Sequence, residues 1–192
     1  MGFVNVKFLC LLGLVALIFI LELAAAPSPW YEYKAVVTIT EYLSHVESTL
    51  VGKFSCDWTD DKCGGDKLRA MWGMILTAVI ISILLTAVET LILFTWAFDF
   101  CHKLKFRSKL RIPLIVIAFL ASFFAFAAWL LLFWHPSALE DSINIKYDFV
   151  GDNSGPQAGW GLFVGASILS LIAAIILCMS GSPDHHGYKL FH

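Results

Sequence analysis

The sequence predicts an all-α membrane protein, a bundle of four transmembrane helices carrying a small extracellular β-sheet. Three observations predict it. Four apolar runs, Phe8 to Ala25, Leu68 to Phe98, Ile112 to Trp134 and Gly159 to Met179, each reach the ~18–20 residues that a helix needs to cross a ~30 Å hydrocarbon core. Hydrophobic residues make up 59% of the 192 residues and charged ones only 15%, whereas a soluble domain carries about 45–50% and about 25%; the mean hydropathy is +0.78. The segments between the runs differ in charge, which gives the spans a direction. The whole chain, 1–192, reads as a single four-span domain, and whatever it does is done by helices in lipid and two outer loops.

The first run follows Lys7 and ends in Leu23-Ala24-Ala25-Ala26, a layout shared with secretory signals. Pro27 directly after the small residues is a poor cleavage position, so the run reads as a retained first span. Met1-Gly2 does not make a myristoylation signal, because Val6 stands where serine or threonine is required. Between the second and third runs, Lys103, Lys105, Arg107, Lys109 and Arg111 face only Asp99. Basic residues concentrate in short cytoplasmic loops, so this loop and both termini are expected in the cytoplasm. It also has the charge to attract anionic lipid. The segment Pro27 to Lys67 has seven acids against four bases, and His135 to Ala158 has four against one, a net −3 each. Both are then extracellular.

The first outer loop carries Ala35-Val36-Val37-Thr38-Ile39-Thr40, a β-branched run that reads as a strand. Thr49 to Ser55, with Gly52 inside it, reads as a second. Cys56 and Cys63 follow, set among Asp57, Asp60, Asp61, Gly64 and Gly65 in a turn-rich stretch. As the two cysteines on the oxidising side, close in sequence, they are expected to form a disulfide. The three aspartates lack the spacing of a calcium loop and read as a solvated acidic turn. Cys10 lies in the first span. Cys101 and Cys178, at the inner ends of the second and fourth spans, are acylation candidates, with a small reduced apolar residue as the alternative.

Within the spans, Glu89 is the one ionisable residue well inside a helix, and such residues point to function by default. A polar contact between helices and a place on an ion path are both open. Glu22 and Arg69, each near the outer face, suggest a bridge between the first and second helices. Gly161 and Gly165 are spaced for close helix packing, within the bundle or with another copy. Trp72, Trp96, Trp129, Trp134 and Trp160 fall near membrane faces, as an aromatic belt does.

No serine–histidine–acid, paired-carboxylate or zinc-ligand spacing, nucleotide loop or Cys-x-x-Cys occurs, so no enzyme activity, cofactor, metal site or nucleic-acid partner is expected. His185 and His186 lie in a short tail. No Asn-x-Ser/Thr acceptor lies outside. Four spans are too few for an inverted-repeat transporter.

The chain resembles the claudin and peripheral-myelin/epithelial-membrane-protein superfamily over its whole length. The resemblance rests on the inner termini, the large first and smaller second outer loops, Trp30, the strand-borne cysteine pair and Arg69 at the start of the second helix. It also rests on Tyr147-Asp148-Phe149 followed by Gly159-Trp160-Gly161. The family pattern W…GLW-x-x-C…C is matched by Gly52 and Cys56, with Phe54 close to the place of the tryptophan and a short Cys56–Cys63 interval. Tetraspanins put the large loop second; occludin-type proteins share the topology without the strand-borne cysteines.

The resemblance implies a left-handed bundle topped by an antiparallel sheet from both outer loops, with Tyr147 to Val150 supplying the strand from the second. It implies a plasma-membrane protein acting by cell–cell or lateral contact, in adhesion, a junction or a paracellular barrier. Homo-oligomers or a larger membrane complex would be its partners. An auxiliary subunit of an ion channel or receptor is the first alternative, and a small-solute pore past Glu89 the second. The tail ends Lys189-Leu190-Phe191-His192, whereas barrier claudins end in a hydrophobic residue that scaffolds capture; this favours an accessory role. Acidic outer loops would favour cations if they lined a pore.

Overall fold

The computed structural model describes residues 6–34, 38–48, 54–58, 60, 65–98, 110–134 and 155–180. Helix α1 spans Val6–Ala25 and is followed by strands β1 (Tyr31–Lys34), β2 (Thr38–Glu41), β3 (His45–Ser48) and β4 (Phe54–Asp57). Helix α2 runs Asp66–Ala97 and α3 Arg111–Leu130, which tightens into a 3-10 turn over Leu131–Trp134. Strand β5 (Gly155–Pro156) leads into the last helix, α4, Ala158–Met179. All four helices are long and apolar enough to cross a membrane.

The ends of the helices follow from local chemistry. Pro27 and Pro29 cannot continue α1, and Ser28 Oγ donates to the Ala24 carbonyl at 2.7 Å to close its last turn. Asp66 in the first turn of α2 faces the positive end of the helix dipole. Pro113 sits in the first turn of α3, where an N–H would have no partner within the helix.

The helices pack in a ring, α1 on α2, α2 on α3, α3 on α4 and α4 on α1. The inward faces are built largely of small residues. On α3 they include Ala118, Ala121, Ser122, Ala125 and Ala128; on α4, Ala166, Ser167, Ser170, Ala173 and Ala174. The outward faces hold large apolar side chains such as Leu84, Leu91, Ile112 and Phe123. Lipid is as apolar as leucine, so nothing forces these inward, whereas small side chains let helix backbones approach.

The five strands form one antiparallel sheet in the order β4-β3-β2-β1-β5. Tyr31, paired with Pro156, starts a row that continues through Glu41, Val46 and Cys56. Tyr31 and Val46 pack on the hydrophobic core. The neighbouring row, Gly155, Glu32, Thr40, Glu47 and Ser55, lies on the opposite face, because side chains alternate along a strand. The strand from the second inter-helix segment is thus Gly155–Pro156. The expected strand Tyr147 to Val150 lies outside the described residues. Where two strands were expected in the first segment there are four.

Helix α2 is 32 residues long, against 20 for α1. Their shared end is marked by Phe8 on Trp96, ring centroids 5.3 Å apart. At the other end α1 stops three residues after Glu22, while α2 continues for sixteen residues beyond Ser82, the partner of Glu22. At ~1.5 Å per residue α2 overshoots by about 20 Å. The sheet packs against that projection.

Candidate functional site

Trp30 is the joint between sheet and bundle. It is fully buried, and its indole Nε1–H donates to the Ala25 carbonyl at the end of α1, 2.9 Å away. Its ring lies 5.4 Å from that of Phe163 on α4. Its backbone N–H donates to Glu41 O on β2, and its carbonyl accepts from the Gln157 N–H just before α4. Gly159 closes over it: the Gly159 N–H donates to Pro29 O at 2.8 Å. A Cβ on Gly159 would stand 2.6 Å from Trp30 Cδ1 and 2.9 Å from Pro29 O. Only glycine lets α4 start this close to the tryptophan.

Trp160 is half-buried beside this joint, its ring edge-on to Trp129 at 6.3 Å. Tyr31, Trp129, Leu132, Phe133, Pro156 and Trp160 line an apolar recess of about 180 Å³ between sheet and helices.

A second tryptophan, Trp58, fixes the far side of the sheet. It stacks on Trp72 of α2 at 5.6 Å, with its Nε1–H donating to the Tyr42 carbonyl at 2.8 Å. Sequence reasoning sought an aromatic before Cys56, near Phe54, and passed over the one two residues after it. Phe54 lies in β4. Cys56, buried in the same strand, is disulfide-bonded; Cys63, its expected partner, lies outside the described residues, as do Gly52 and Cys101. Cys178 is a free, exposed thiol at the end of α4, and Cys10 is likewise free and exposed.

The sheet's outward face is acidic, with Glu32, Glu47 and Asp57 around Thr40 and His45. His45 Nε2 lies 3.5 Å from Glu47. Glu41 points the other way and is buried at 2% exposure; burial holds its carboxyl well above the ordinary carboxylate range.

Two expectations for the helices are corrected, and one that was open between two readings is narrowed. Arg69 pairs with Asp66, one turn away on its own helix. Glu22 instead accepts a hydrogen bond from Ser82 Oγ at 2.5 Å. The reason is the overshoot of α2: Arg69 stands thirteen residues, about 20 Å of axial rise, beyond Ser82. Gly161 and Gly165 do not pack within the bundle; a Cβ on either meets nothing within 4 Å. The buried face of α4 runs through Gly159, Phe163, Ala166 and Ser170 instead. Glu89, expected as the lone intramembrane acid, has company.

Glu22 and Glu89 are 0% and 2% exposed, and Glu22 lies within electrostatic range of Glu89. With Ser82 and Thr86 of α2 they form a polar patch between α1 and α2; the other buried polar side chains of the helices are Ser122 on α3 and Ser167 and Ser170 on α4. Apolar clusters lie on either side. One holds Trp30, Trp72, Val79 and Ala125; the other Val15, Ile18, Leu93 and Ala118. Ser82 Oγ also lies 3.2 Å from the Ala121 carbonyl of α3. Among the described residues no three His, Cys, Asp or Glu side chains gather as a metal site.

Against this geometry, no protein-family model matches the chain, and no curated protein matches it either.

Proposed function

We propose that this chain is a claudin-like integral membrane protein of the plasma membrane that acts by contact, between cells or laterally within one membrane. One observation carries the reading. The segments before α2 and before α4 contribute to a single sheet, seated on one end of four apolar helices. Among the described residues, β4 and β5 are the edge strands of that sheet. Open edges and an apolar recess beside them are surfaces that recruit other chains. The basic segment between α2 and α3 supports a cytoplasmic side for the opposite end and both termini. A disulfide at Cys56 fits an oxidising exterior, with Cys63 as its partner. The Gly161 and Gly165 face of α4, where an added Cβ would meet none of the described residues within 4 Å, suits lateral contact with a second copy. The acidic outer face would favour cations where such contacts enclose a path.

Expression of the full chain in cells that lack adhesion proteins tests the reading. Intramembrane strands or enrichment at cell contacts, seen by freeze-fracture and fluorescence, support it. A protein spread evenly over the surface, co-purifying at fixed stoichiometry with a larger channel, replaces it with the auxiliary-subunit role.

A further inference from the structure

We propose that Glu22 and Glu89, with the hydroxyls of Ser82 and Thr86, form a binding site for a small cation, a proton or an alkali metal ion, inside the helix bundle. This site is independent of the contact role of the sheet.

Ser82, Thr86 and Glu89 recur at spacings of four and three, so they share one face of α2. That face meets Glu22 of α1: Ser82 donates to Glu22 Oε1, and Thr86 stands beside the same carboxyl. The second oxygen, Glu22 Oε2, is buried and accepts no hydrogen bond from the described residues, and Glu89 Oε1 is in the same condition. A buried acceptor left without a donor is destabilising, and two such oxygens on neighbouring acids are doubly so.

Positive charge is what the pair lacks. The remaining ionisable residues of the helices are Lys7 and Cys10 on α1, Asp66, Lys67 and Arg69 on α2, Arg111 on α3 and Cys178 on α4. Arg69 is held by Asp66, about 20 Å of rise from Ser82. Arg111 donates to the Ser180 carbonyl, 2.8 Å away, with the Cys178 carbonyl beside it. Lys7 is exposed at the end marked by Phe8 and Trp96, about 10 Å of rise from Glu89. The buried polar side chains of α3 and α4 are serines, Ser122, Ser167 and Ser170. A charge in a low-dielectric interior must be neutralised, and among the described residues no cationic side chain does it. The donors present are carboxylate, hydroxyl and carbonyl oxygens, with no imidazole or thiol among them. Oxygen-only surroundings suit hard cations.

The test uses the full chain in phosphatidylcholine nanodiscs and compares the thermal midpoint of the wild type with that of the E22Q/E89Q double variant. A cation that binds the folded protein raises its midpoint with concentration. The wild type should gain at least ~4 °C over the double variant between about pH 9 and pH 6 if the cation is a proton. It should gain a similar ~4 °C at about pH 8 on replacing choline by sodium or potassium if the cation is an alkali ion. Glu41 is present in both proteins and cancels. A difference constant within ~1 °C in both series overturns the site. Should the double variant not fold, labelling of the wild type by dicyclohexylcarbodiimide decides, read by mass spectrometry. An adduct on Glu22 or Glu89 that forms more slowly at higher pH or in sodium supports the site. No adduct, or a rate indifferent to both, overturns it.

Discussion

Two glycines separated by a single residue, Gly159 and Gly161, should respond to the same substitution with opposite sign. At Gly159 an added methyl would stand 2.6 Å from Trp30 Cδ1, 2.8 Å from Trp30 Nε1 and 2.9 Å from Pro29 O. Neither neighbour can yield cheaply. The indole is fully buried, pinned by its bond to Ala25 O and packed on Phe163, and Pro29 O is backbone. Overpacking of this kind costs about 1–3 kcal/mol, and shifting the indole forfeits its hydrogen bond, about 1 kcal/mol more. Against that stands the better helix propensity of alanine, up to about 1 kcal/mol. The net for Gly159→Ala is a loss of about 2 kcal/mol, or a midpoint lowered by about 4–8 °C in a chain of this size. At Gly161 the same methyl meets nothing within 4 Å, so only the propensity gain remains and the midpoint should hold or rise. Thermal unfolding of both variants in nanodiscs, followed by tryptophan fluorescence, gives the comparison. A Gly159→Ala protein as stable as wild type, or a Gly161→Ala protein equally damaged, refutes the placement of Trp30 against α4.

Trp58→Ala should cost about 3 kcal/mol by opening a cavity against Trp72, while Trp58→Phe should cost about 1 kcal/mol by losing the bond to Tyr42 O; chemical denaturation in micelles measures both. Because burial raises the Glu41 carboxyl above its unfolded value, the folded protein holds that proton more tightly, and stability falls as pH rises from the ordinary carboxylate range toward the raised value. Glu41→Gln should therefore be more stable than wild type at neutral pH, with the gap closing as the pH drops toward about 4.5, read from midpoints across a pH series. Non-reducing peptide mapping should find Cys56 joined to Cys63, and a Cys56–Cys101 peptide would contradict the topology. Neutralising Glu32, Glu47 and Asp57 together should lower cation-over-anion permeability in monolayers that express the chain, and an unchanged ratio removes the acidic face from any conduction path.

The four helices were legible because a membrane span is a matter of length and composition, which survive ignorance of every contact. The sheet was only half legible. Ala35 to Thr40 showed its β-branched run, but His45-Val46-Glu47-Ser48 has a single apolar residue, with His45 and Glu47 facing away from the core, and it carries no strand signal. Rotational phase was not legible at all. Gly161 and Gly165 have the spacing of a packing stripe, yet the buried face of α4 contains Gly159, which lies about 200° around the helix from Gly161. Axial offset was equally hidden. Glu22 and Arg69 look level when each is counted from its nearest helix end; α2 overshoots α1, and the two separate. Trp30 and Gly159 were visible through family resemblance alone, and only their contact explains why glycine is needed there.

What holds such a bundle together bears on what its acids are for. Because lipid solvates leucine as well as a protein interior does, cohesion comes from close backbone approach and from polar links between helices. The links are present. Ser82 joins α2 to α1 through Glu22 and approaches Ala121 of α3. Trp129 Nε1–H donates to Ser167 Oγ to join α3 to α4. Trp30, with Gly159 against it, closes the ring between α4 and α1. For this work one acceptor opposite Ser82 is enough, and a serine or glutamine at position 22 would provide it without a formal charge. Glu22 brings a second oxygen with no partner, and Glu89 contributes another that joins no helices. Ser82 and Ser167 are accounted for by cohesion. The two surplus carboxylate oxygens are not, and a mobile cation is the partner whose chemistry they fit.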